Sequence, residues 1–588
     1  MEASRLFDFL TIQTGKNPTN SFLTSKVENI WNSFTFAEVQ QISNKVSQLL
    51  INLDLKKGDT IAIISTNRPE WNFTDFGAQQ IGVIVVPMYP TISEKDYEYI
   101  FNDAQIKYAF VGDDSIFQKV KSLIGKNQSL KNIYTFDAMY HTNGFWDALP
   151  EDIDSDKIQT LKENVSEQDV ATIIYTSGTT GNPKGVMLTH KNIVSNVKSI
   201  KEITPFGEGE KALSFLPLCH SFERMVFYAY LSFGIHIYYA ENLEKIGENM
   251  IEIKPYCFTT VPRMLEKVYD KIIAKGNALN GIKKKLFFWA IDVGAEYELG
   301  KDKGWLYNQK LSVARKLIFS KWKEALGGNV HFIITGAAAM QPRLITLFTA
   351  AGIDVLEGYG LTETSPVLSC NRVDEKQRCI GTIGIPIPGV TIQLAEDNEI
   401  LAKGPNIMKG YFNRPDLTDE VIDKDGWFHT GDIGTWIKKN GNRFLKITDR
   451  KKELFKTAGG KYVAPQVIEN KMKESMFIEQ IMVVGGDDKK FVSALIVPSF
   501  SQLEVWIKQQ GISYKTKQEI IDHPKVYELL HKEIKKYNHD FGQWEQIKKF
   551  ILLPEEWSVE SGELTPTMKP KRKIITEKYN SFIKSMYE

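Results

Sequence analysis

The segment from Tyr175 to Gly185 reads Y-T-S-G-T-T-G-N-P-K-G, and its residue types suit the binding of a polyphosphate. Glycines let backbone N–H groups approach a ligand closely, hydroxyl groups donate to phosphate oxygens, and the ammonium of Lys184 offsets negative charge. The order differs from a Walker A loop, in which lysine follows glycine and precedes serine or threonine. The sequence therefore predicts a nucleoside-triphosphate site of another kind rather than a flexible surface linker.

Further segments combine glycines, hydroxyls, aromatic rings and single charges in a way that is unusual for a packed core. They are L-P-L-C-H-S-F-E-R (216–224), T-G-A-A-A-M (335–340), E-G-Y-G-L-T-E-T-S-P (357–366), G-W-F-H-T-G-D-I-G (426–434), D-R-K-K-E-L-F-K (449–456) and G-E-L-T-P-T-M-K-P-K-R-K (562–573).

Strands and helices, which differ in the spacing of their apolar residues, must position these segments. Short apolar runs such as Thr60–Ser65, Ala171–Tyr175 and Val330–Thr335 alternate with helical patterns such as Phe36–Leu53. This alternation, which continues to near residue 440, predicts an α/β fold whose parallel sheet is covered by helices. Ligands of such sheets bind at the carboxyl ends of strands, where the loop after Tyr175 lies.

Length and composition narrow the class of protein. A chain of 588 residues is too long to fold around a single hydrophobic core, so two or more domains are expected. A net charge of +1 argues against a nucleic-acid-binding protein. Four scattered cysteines suit a reducing compartment and form no C-x-x-C zinc pair. Acids interrupt the apolar N-terminus, and no uncharged apolar window is long enough to span a membrane. We therefore expect a cytoplasmic protein without a nucleic-acid partner.

Together, in this order and spacing, the segments resemble the adenylate-forming superfamily of acyl-CoA synthetases, luciferases and adenylation domains. N-R-P-E-W, V-V-P-M-Y-P-T, L-P-L-C-H-S-F-E-R and L-T-P-T-M-K-P-K-R-K are similar to the long-chain fatty acid–CoA ligase branch. The resemblance spans essentially the whole chain. It implies a large domain of stacked, helix-covered sheets over residues 1–448, a hinge over 449–456, and a small mobile α+β domain over 457–588.

The resemblance also implies an activity. ATP and Mg²⁺ would convert a long-chain fatty acid to an acyl-adenylate, and CoA would then take the acyl group and release AMP. A fatty acyl-AMP ligase that loads a carrier protein, and a non-catalytic nucleotide- or lipid-binding relative, are the alternatives.

Nucleotide-binding roles follow from the same resemblance. Gly336 and Ala337 would wall the adenine, Tyr359 would stack on it before Gly360, and Asp432 would accept from the ribose hydroxyls. Arg450 would contact ribose or phosphate, whereas Lys451 is interpreted as a solvated charge. Residues expected at the β- and γ-phosphates are Thr176, Ser177, Gly178, Thr179, Thr180, Gly181 and Lys184.

Catalytic roles are implied for five residues. Thr362 would donate to the α-phosphate, Glu363 would bind Mg²⁺, and His220 would line the pocket for the acyl group and α-phosphate. This chain lacks the glycine of the usual terminal pattern, so two lysines are candidates for bridging the acyl carboxylate and the α-phosphate. The resemblance to the long-chain branch favours Lys569, with Lys571 as the alternative.

The small domain would pivot at Lys452, and Gly459 and Gly460 would let the backbone pass close to the pantetheine of CoA. A separate question concerns G-I-K-K-K-L-F-F-W-A-I-D-V-G (281–294). This helix either packs its apolar side in the core or lies on the inner face of an anionic membrane.

Overall fold

The structure is a computed structural model that describes residues 2–137, 143–176, 182–559, 561–565 and 568–588. Its strands are β1 Ser21–Val27, β2 Ile30–Thr35, β3 Thr60–Ile64, β4 Ile84–Met88, β5 Tyr108–Val111, β6 Asn132–Thr135, β7 Asn143–Gly144, β8 Val170–Thr176, β9 Lys184–Thr189, β10 Lys211–Ser214, β11 His236–Tyr239, β12 Cys257–Thr260, β13 Phe332–Thr335, β14 Asp354–Gly360, β15 Val367–Cys370, β16 Ile385–Pro386, β17 Thr391–Leu394, β18 Glu399–Lys403, β19 Gly410–Tyr411, β20 Phe428–Lys439, β21 Asn442–Arg450, β22 Phe455–Lys456, β23 Tyr462–Val463, β24 Ile478–Val484, β25 Val492–Pro498 and β26 Ile547–Leu552.

The helices are α1 Leu6–Lys16, α2 Phe36–Asn52, α3 Pro69–Gln80, α4 Glu94–Asp103, α5 Asp114–Lys121, α6 Phe145–Ala148, α7 Ser155–Glu163, α8 His190–Ile203, α9 Ser221–Phe233, α10 Ile246–Ile253, α11 Pro262–Ala278, α12 Gly281–Ala295, α13 Trp305–Ala314, α14 Ser320–Ala325, α15 Pro342–Ala350, α16 Pro415–Val421, α17 Pro465–Met472, α18 Phe500–Gln509, α19 Lys517–Ile521, α20 Pro524–Asn538, α21 Arg572–Lys578 and α22 Asn580–Ser585. A π-helical turn, Arg315–Phe319, joins α13 to α14, and 3₁₀ turns lie at Thr362–Thr364 and Glu375–Gln377.

Two large sheets carry the N-terminal part of the chain. One has the order β16-β15-β14-β13-β12-β10-β11-β1-β2 and the other β19-β9-β8-β4-β3-β5-β6-β7. Their central strands are parallel, and antiparallel pairing begins towards one edge of each, at β14 with β15 and at β8 with β9. The predicted class, stacked sheets covered by helices, is confirmed, and the antiparallel edges are an addition to it.

One apolar cluster joins both large sheets to α1, α2, α3, α8 and α9, which lie between them. Separate clusters cover the outer sides, with α10–α15 on the first sheet and α4 and α5 on the second. The buried guanidinium of Arg224, on α9, pairs with Asp75 on α3 and donates to Thr172 Oγ1 on β8 at 2.6 Å. Its neighbour Glu223 accepts from Ser214 and Thr259, each at 2.6 Å. Glu223 and Arg224, the last two residues of the segment L-P-L-C-H-S-F-E-R, thus fix α9 between the sheets.

The C-terminal part has its own core, a cluster of buried residues from Val463 to Met586. It surrounds the sheet β24-β25-β26, whose first pair is antiparallel and second pair parallel. Between the large sheets and this core lies the antiparallel sheet β17-β18-β20-β21, which ends at Arg450. The predicted strand and hinge stretch after residue 440 therefore corresponds to β21 and the turn that follows it.

Helix α12 packs its aromatic run inward. Phe287 and Ile291 are buried in the cluster over the first sheet, and Phe288 and Trp289 pack partly against it. Ile282, Lys283 and Lys285 remain exposed at its beginning. In the ranges that the structure describes, every helix is too short or too polar to cross a bilayer.

Strand β14 ends at a position that admits only glycine. A Cβ atom on Gly360 would lie 1.6 Å from the carbonyl oxygen of Pro366, on the chain that turns back into β15. A Cβ atom on Gly336, after β13, would meet the carbonyl oxygen of Gly358 at 3.5 Å, an ordinary contact. The close return of the chain after Thr362 and Glu363 therefore depends on Gly360.

We predict that Gly360→Ala destabilises the large domain by more than about 3 kcal/mol, because the backbone must move to relieve the clash. Gly336→Ala is the matched control and should change stability by less than about 1 kcal/mol. Thermal and urea unfolding of both variants measure the difference. Equal stability of the two variants would contradict this account of the turn.

Candidate functional site

Asp432 is the centre of a buried group at the end of the four-stranded sheet. It lies opposite Arg450 in the pairing of β20 with β21, and Arg450 Nε approaches Asp432 Oδ1 at 3.2 Å. The hydroxyl of Tyr359, on β14, donates to Asp432 Oδ2 at 2.7 Å. Burial and the charge of Asp432 raise the pKa of the Tyr359 hydroxyl well above its usual range. The structure thus brings together three predicted residues that are far apart in sequence.

Glu363 and Lys184 meet a residue that sequence analysis does not identify, Tyr411. The Tyr411 hydroxyl donates to Glu363 Oε1 at 2.9 Å, and the ammonium of Lys184 lies 5.0 Å from the centre of the Tyr411 ring. Tyr411 lies on β19, which pairs with β9 just after Lys184. Burial, together with Glu363, raises the pKa of Tyr411 far above its usual range. A lone tyrosine without a motif around it carries no sequence signal for this role.

Lys184 faces Thr176 across the β8–β9 pair, so these two predicted residues flank the start and end of the phosphate-type loop. The predicted loop residues Ser177, Gly178, Thr179, Thr180 and Gly181 lie outside the described residues.

The segment after β13 forms a tight wall near Tyr359. Ala337 adopts a left-handed backbone conformation, with φ of 67°. The N–H of Met340 donates to the buried carboxyl of Glu357 at 2.8 Å, and burial raises the pKa of Glu357 to about 8. Glu357 therefore fixes the Gly336–Met340 segment against β14, a positioning role that its place in E-G-Y-G-L-T-E-T does not reveal.

His220 caps α9, and its Nδ1 accepts from the N–H of Phe222 at 3.2 Å. The next residue, Ser221, has its hydroxyl oxygen 3.2 Å from Thr362 Oγ1. Burial, followed by the charge of Lys569, lowers the pKa of His220 to about 4, so that its imidazole is neutral at neutral pH. The N-terminus of α9 therefore lies beside Thr362, with His220 towards Lys569.

The structure separates the two candidate lysines. Lys569 closes a short turn in which its carbonyl accepts from the Thr565 N–H at 2.8 Å. Burial, and then the charge of Arg450, lower the pKa of its ammonium to about 8. The carboxylates of Asp432, Glu453 and Glu363 act in the opposite direction. No ion pair to Lys569 exists among the residues that the structure describes.

Lys571 instead precedes the first turn of α21, where its N–H donates to the Glu563 carbonyl at 2.7 Å. The charges that act on Lys569 therefore include those of Arg450, Asp432 and Glu363, whereas the Lys571 backbone is tied to Glu563.

The residues before and after Lys452 are attached to different parts of the chain. The ammonium of Lys451 approaches Asp397 and Glu399 at 2.7 and 2.8 Å, although its side chain remains exposed, in keeping with its interpretation as a solvated charge. Glu453 Oε2 instead accepts from Arg572 Nε at 2.9 Å. Lys452 is exposed between them.

Arg572 holds the C-terminal segment to the small core. Besides Glu453, it contacts Glu469 at 2.5 Å and donates to the Val483 carbonyl at 3.1 Å. The sequence gives no sign of this clamp, because Arg572 lies in a run of basic residues that resembles an exposed strip.

Gly459 and Gly460 lie in the turn between β22 and β23, where Gly460 has φ of 74°. The turn is held within the C-terminal part by the Ala458 N–H, which donates to the Lys489 carbonyl at 3.0 Å. Among the described residues, no hydrogen bond or ion pair joins this turn to the Asp432 group.

Comparison with known proteins gives two family matches along the chain. The family described as AMP-binding enzyme matches residues 11–412, and the AMP-binding enzyme C-terminal domain matches residues 453–588.

Individual relatives cover nearly the whole chain. Long-chain-fatty-acid–CoA ligase FadD15 of Mycobacterium bovis is 34% identical over 573 residues, which cover 95% of this chain and 93% of the relative. Human long-chain-fatty-acid–CoA ligase 1 is 31% identical over 589 residues, covering 94% and 82%. The solved structure of ATP-bound MatB from Rhodopseudomonas palustris covers 100% of both chains with a TM-score of 0.74 at 20% identity, a likeness of fold.

Proposed function

Because the chain belongs to the AMP-binding enzyme family, in its long-chain-fatty-acid–CoA ligase branch, we propose that it activates long-chain fatty acids to acyl-CoA thioesters. ATP and CoA are the proposed co-substrates. The fatty carboxylate attacks the α-phosphate of ATP to give acyl-AMP and pyrophosphate. The CoA thiol then attacks the acyl carbon, and AMP leaves.

The position of Lys569 is the observation that carries this proposal. The first half-reaction brings a carboxylate against a phosphate, so it requires fixed positive charge more than a general base. Lys569 supplies a buried cation from the C-terminal part within electrostatic range of Arg450, Asp432 and Glu363, and it has no ion-pair partner among the described residues. An ammonium placed in this way favours an anionic ligand.

Asp432 retains the capacity to hold the ribose. An ionised carboxylate offers about four lone-pair sites, and Tyr359 and Arg450 use two of them. The remaining sites suit the two ribose hydroxyls. Tyr359 would then present its ring to the adenine, with Gly336 and Ala337 as the opposite wall and Arg450 near the ribose or phosphate.

The Glu363 carboxylate fits a Mg²⁺ ion. Its Oε1 is held by Tyr411, whereas Oε2 makes no hydrogen bond within the described residues. A hard cation prefers such an oxygen, and a Mg²⁺ ion there would neutralise phosphate charge. No group of three or more His, Cys, Asp or Glu ligands occurs in the described ranges, so phosphate oxygens and water would complete the coordination. Thr362, Lys184 and the loop from Thr176 to Gly181 would donate to the phosphates.

The proposed pivot is Lys452, because the residue before it is bound to the large domain and the residue after it is bound to the small domain. Lys451 is anchored to β17–β18 by Asp397 and Glu399, and Glu453 is anchored by Arg572. This supports domain boundaries at 1–448, 449–456 and 457–588. A second contact between the domains is the ion pair of Arg263, on α11, with Glu479, on β24. Rotation about Lys452 would remove Lys569 and open a path for CoA past Gly459 and Gly460.

The direct test is AMP formation from ATP, Mg²⁺ and CoA with a series of fatty acids of increasing chain length. CoA-dependent AMP release with long-chain acids is expected. ATP–pyrophosphate exchange without CoA-dependent release would instead indicate a fatty acyl-AMP ligase. Absence of exchange would indicate a non-catalytic relative.

Lys569→Ala should lower the rate of acyl-adenylate formation by on the order of 100-fold or more, because the cation at the reacting anions is lost. ATP–pyrophosphate exchange measures this step, and thioester formation from supplied acyl-AMP should be largely retained. Lys571→Ala is the matched control, two residues away and expected to retain exchange. The reverse order of the two variants would assign the role to Lys571.

The charge of Lys569 also predicts a pH dependence. Its ammonium is protonated below its pKa of about 8 and loses its charge as the pH rises through that value. The kcat/KM of ATP–pyrophosphate exchange should therefore fall above about pH 8, whereas an unperturbed lysine would stay charged to about pH 10.4. In Lys569→Arg the guanidinium remains charged, so the exchange that this variant retains should lose the alkaline decline. An identical decline in that variant would assign the pH dependence to another group.

Lys452→Pro should spare ATP–pyrophosphate exchange and slow thioester formation by on the order of tenfold or more, since proline restricts the pivot in the state with Lys569 at the site. The N–H of Lys452 makes no hydrogen bond within the described residues, so proline removes none there. Lys452→Ala is the control and should support both steps. Equal loss of both half-reactions in Lys452→Pro, measured in single turnovers, would exclude the pivot.

A further inference from the structure

Helix α13 and the π-helical turn after it have apolar side chains on the side that faces solvent. Trp305 and Leu306 are 71% and 70% exposed, and Val313 and Leu317 are also exposed. Leu311, Ala314 and Phe319 are buried on the opposite side. This helix is therefore apolar on both sides, although only one side contacts the core.

The exposed apolar residues form one stripe. Positions 306, 310, 313 and 317 follow each other at intervals of three or four residues, which places them on one side of a helix. We call the exposed surface made by Trp305, Leu306, Lys310, Val313, Lys316 and Leu317 the α13 face.

Helix α12 packs against α13 and the π-helical turn. The Tyr307 hydroxyl donates to the Val293 carbonyl at 3.0 Å, and the turn also contacts α12. Ile282, at the beginning of α12, is 84% exposed.

The charge of the region is positive and unevenly placed. From Gly281 to Ala325 the sequence has ten Lys or Arg and five Asp or Glu, a net charge of +5 in a chain whose total is +1. The stretch from Lys303 to Lys323 has no acidic residue. In the described part of the chain, Lys283, Lys285, Lys310 and Lys316 form no ion pair.

We propose that the α13 face docks the protein on the surface of an anionic lipid bilayer. A helix that exposes aromatic and aliphatic side chains beside unpaired lysines can lie in the plane of such a surface, with these apolar side chains among the acyl chains and the lysines at the headgroups. The absence of acids from the stripe removes the repulsion that anionic lipids would otherwise meet. The inference rests on the proposed function only for its purpose, the capture of acyl substrates that partition into membranes.

Co-sedimentation with vesicles tests the proposal without ATP, fatty acid or CoA. The full chain should bind vesicles of phosphatidylcholine mixed with phosphatidylglycerol, and much more weakly those of phosphatidylcholine alone. The double variant Trp305→Ser, Leu306→Ser should lose at least about tenfold in affinity, because two anchors are removed. Neutralising Lys310 and Lys316 to glutamine should cost roughly fivefold for each lysine at low salt.

The matched control is Val27→Ser with Ile30→Ser, which removes two other apolar side chains that are 55% and 65% exposed. It should bind as the unaltered chain does. All variants should retain their activity with fatty acid presented in detergent, and the α13 variants should lose activity with fatty acid presented in anionic vesicles.

Failure to bind anionic vesicles, or equal binding to both vesicle types, would overturn the proposal. A dimer in solution that Trp305→Ser, Leu306→Ser dissociates, without vesicle binding, would show that a second copy covers the face. Vesicle binding without AMP formation would leave the docking intact and refute the ligase assignment. AMP formation in detergent without vesicle binding would do the reverse.

Discussion

Two cations, Arg450 and Lys569, approach each other closely enough that the charge of the first lowers the pKa of the second. Three carboxylates, those of Asp432, Glu453 and Glu363, compensate this repulsion. The arrangement requires that β14, β20, the end of β21 and a turn from the C-terminal part all arrive at one place. Most of the fold, from the parallel sheets to the contacts of Arg572 at the hinge, holds these elements together at that place.

The ion pairs near the hinge locate the boundary between the two parts of the chain more narrowly than the hydrophobic cores do. Lys451 belongs to the four-stranded sheet by its contacts, and Glu453 belongs to the C-terminal part. Arg572 reaches Glu453 from the beginning of α21, so the C-terminal segment that carries Lys569 is tied to the residue just after the pivot. Movement of the hinge and movement of Lys569 are therefore mechanically coupled.

The segments that form the site could be predicted from the sequence because each is a loop or strand end whose composition is unsuited to a core. The sequence favoured Lys569 over Lys571 but left both open, since the position of each side chain depends on how a short turn pairs Leu564 with Pro570. The role of Tyr411 could not be predicted because it arises from the pairing of β19 with β9. Glu357 stood inside a motif, but its burial and its bond to Met340 are properties of packing.

The surface helices show the same limit. The aromatic run of α12 fits either a core or a membrane, and only the packing of neighbouring elements determines that Phe287 and Ile291 face inward. The same packing leaves Trp305 and Leu306 outside, although nothing in their local spacing distinguishes them from core residues.

The pivot has a geometric consequence. A residue contributes two soft torsion angles, so rotation about Lys452 moves the C-terminal part as a lever arm. Arg450 lies two residues before the pivot, at the end of β21, and stays with the four-stranded sheet, whereas Lys569 lies on the moving arm and sweeps a long arc. Arg450 can therefore remain beside a bound nucleotide through both half-reactions, while Lys569 can serve only the first. A small angular error at Lys452 would leave nucleotide contacts intact and still misplace the lysine.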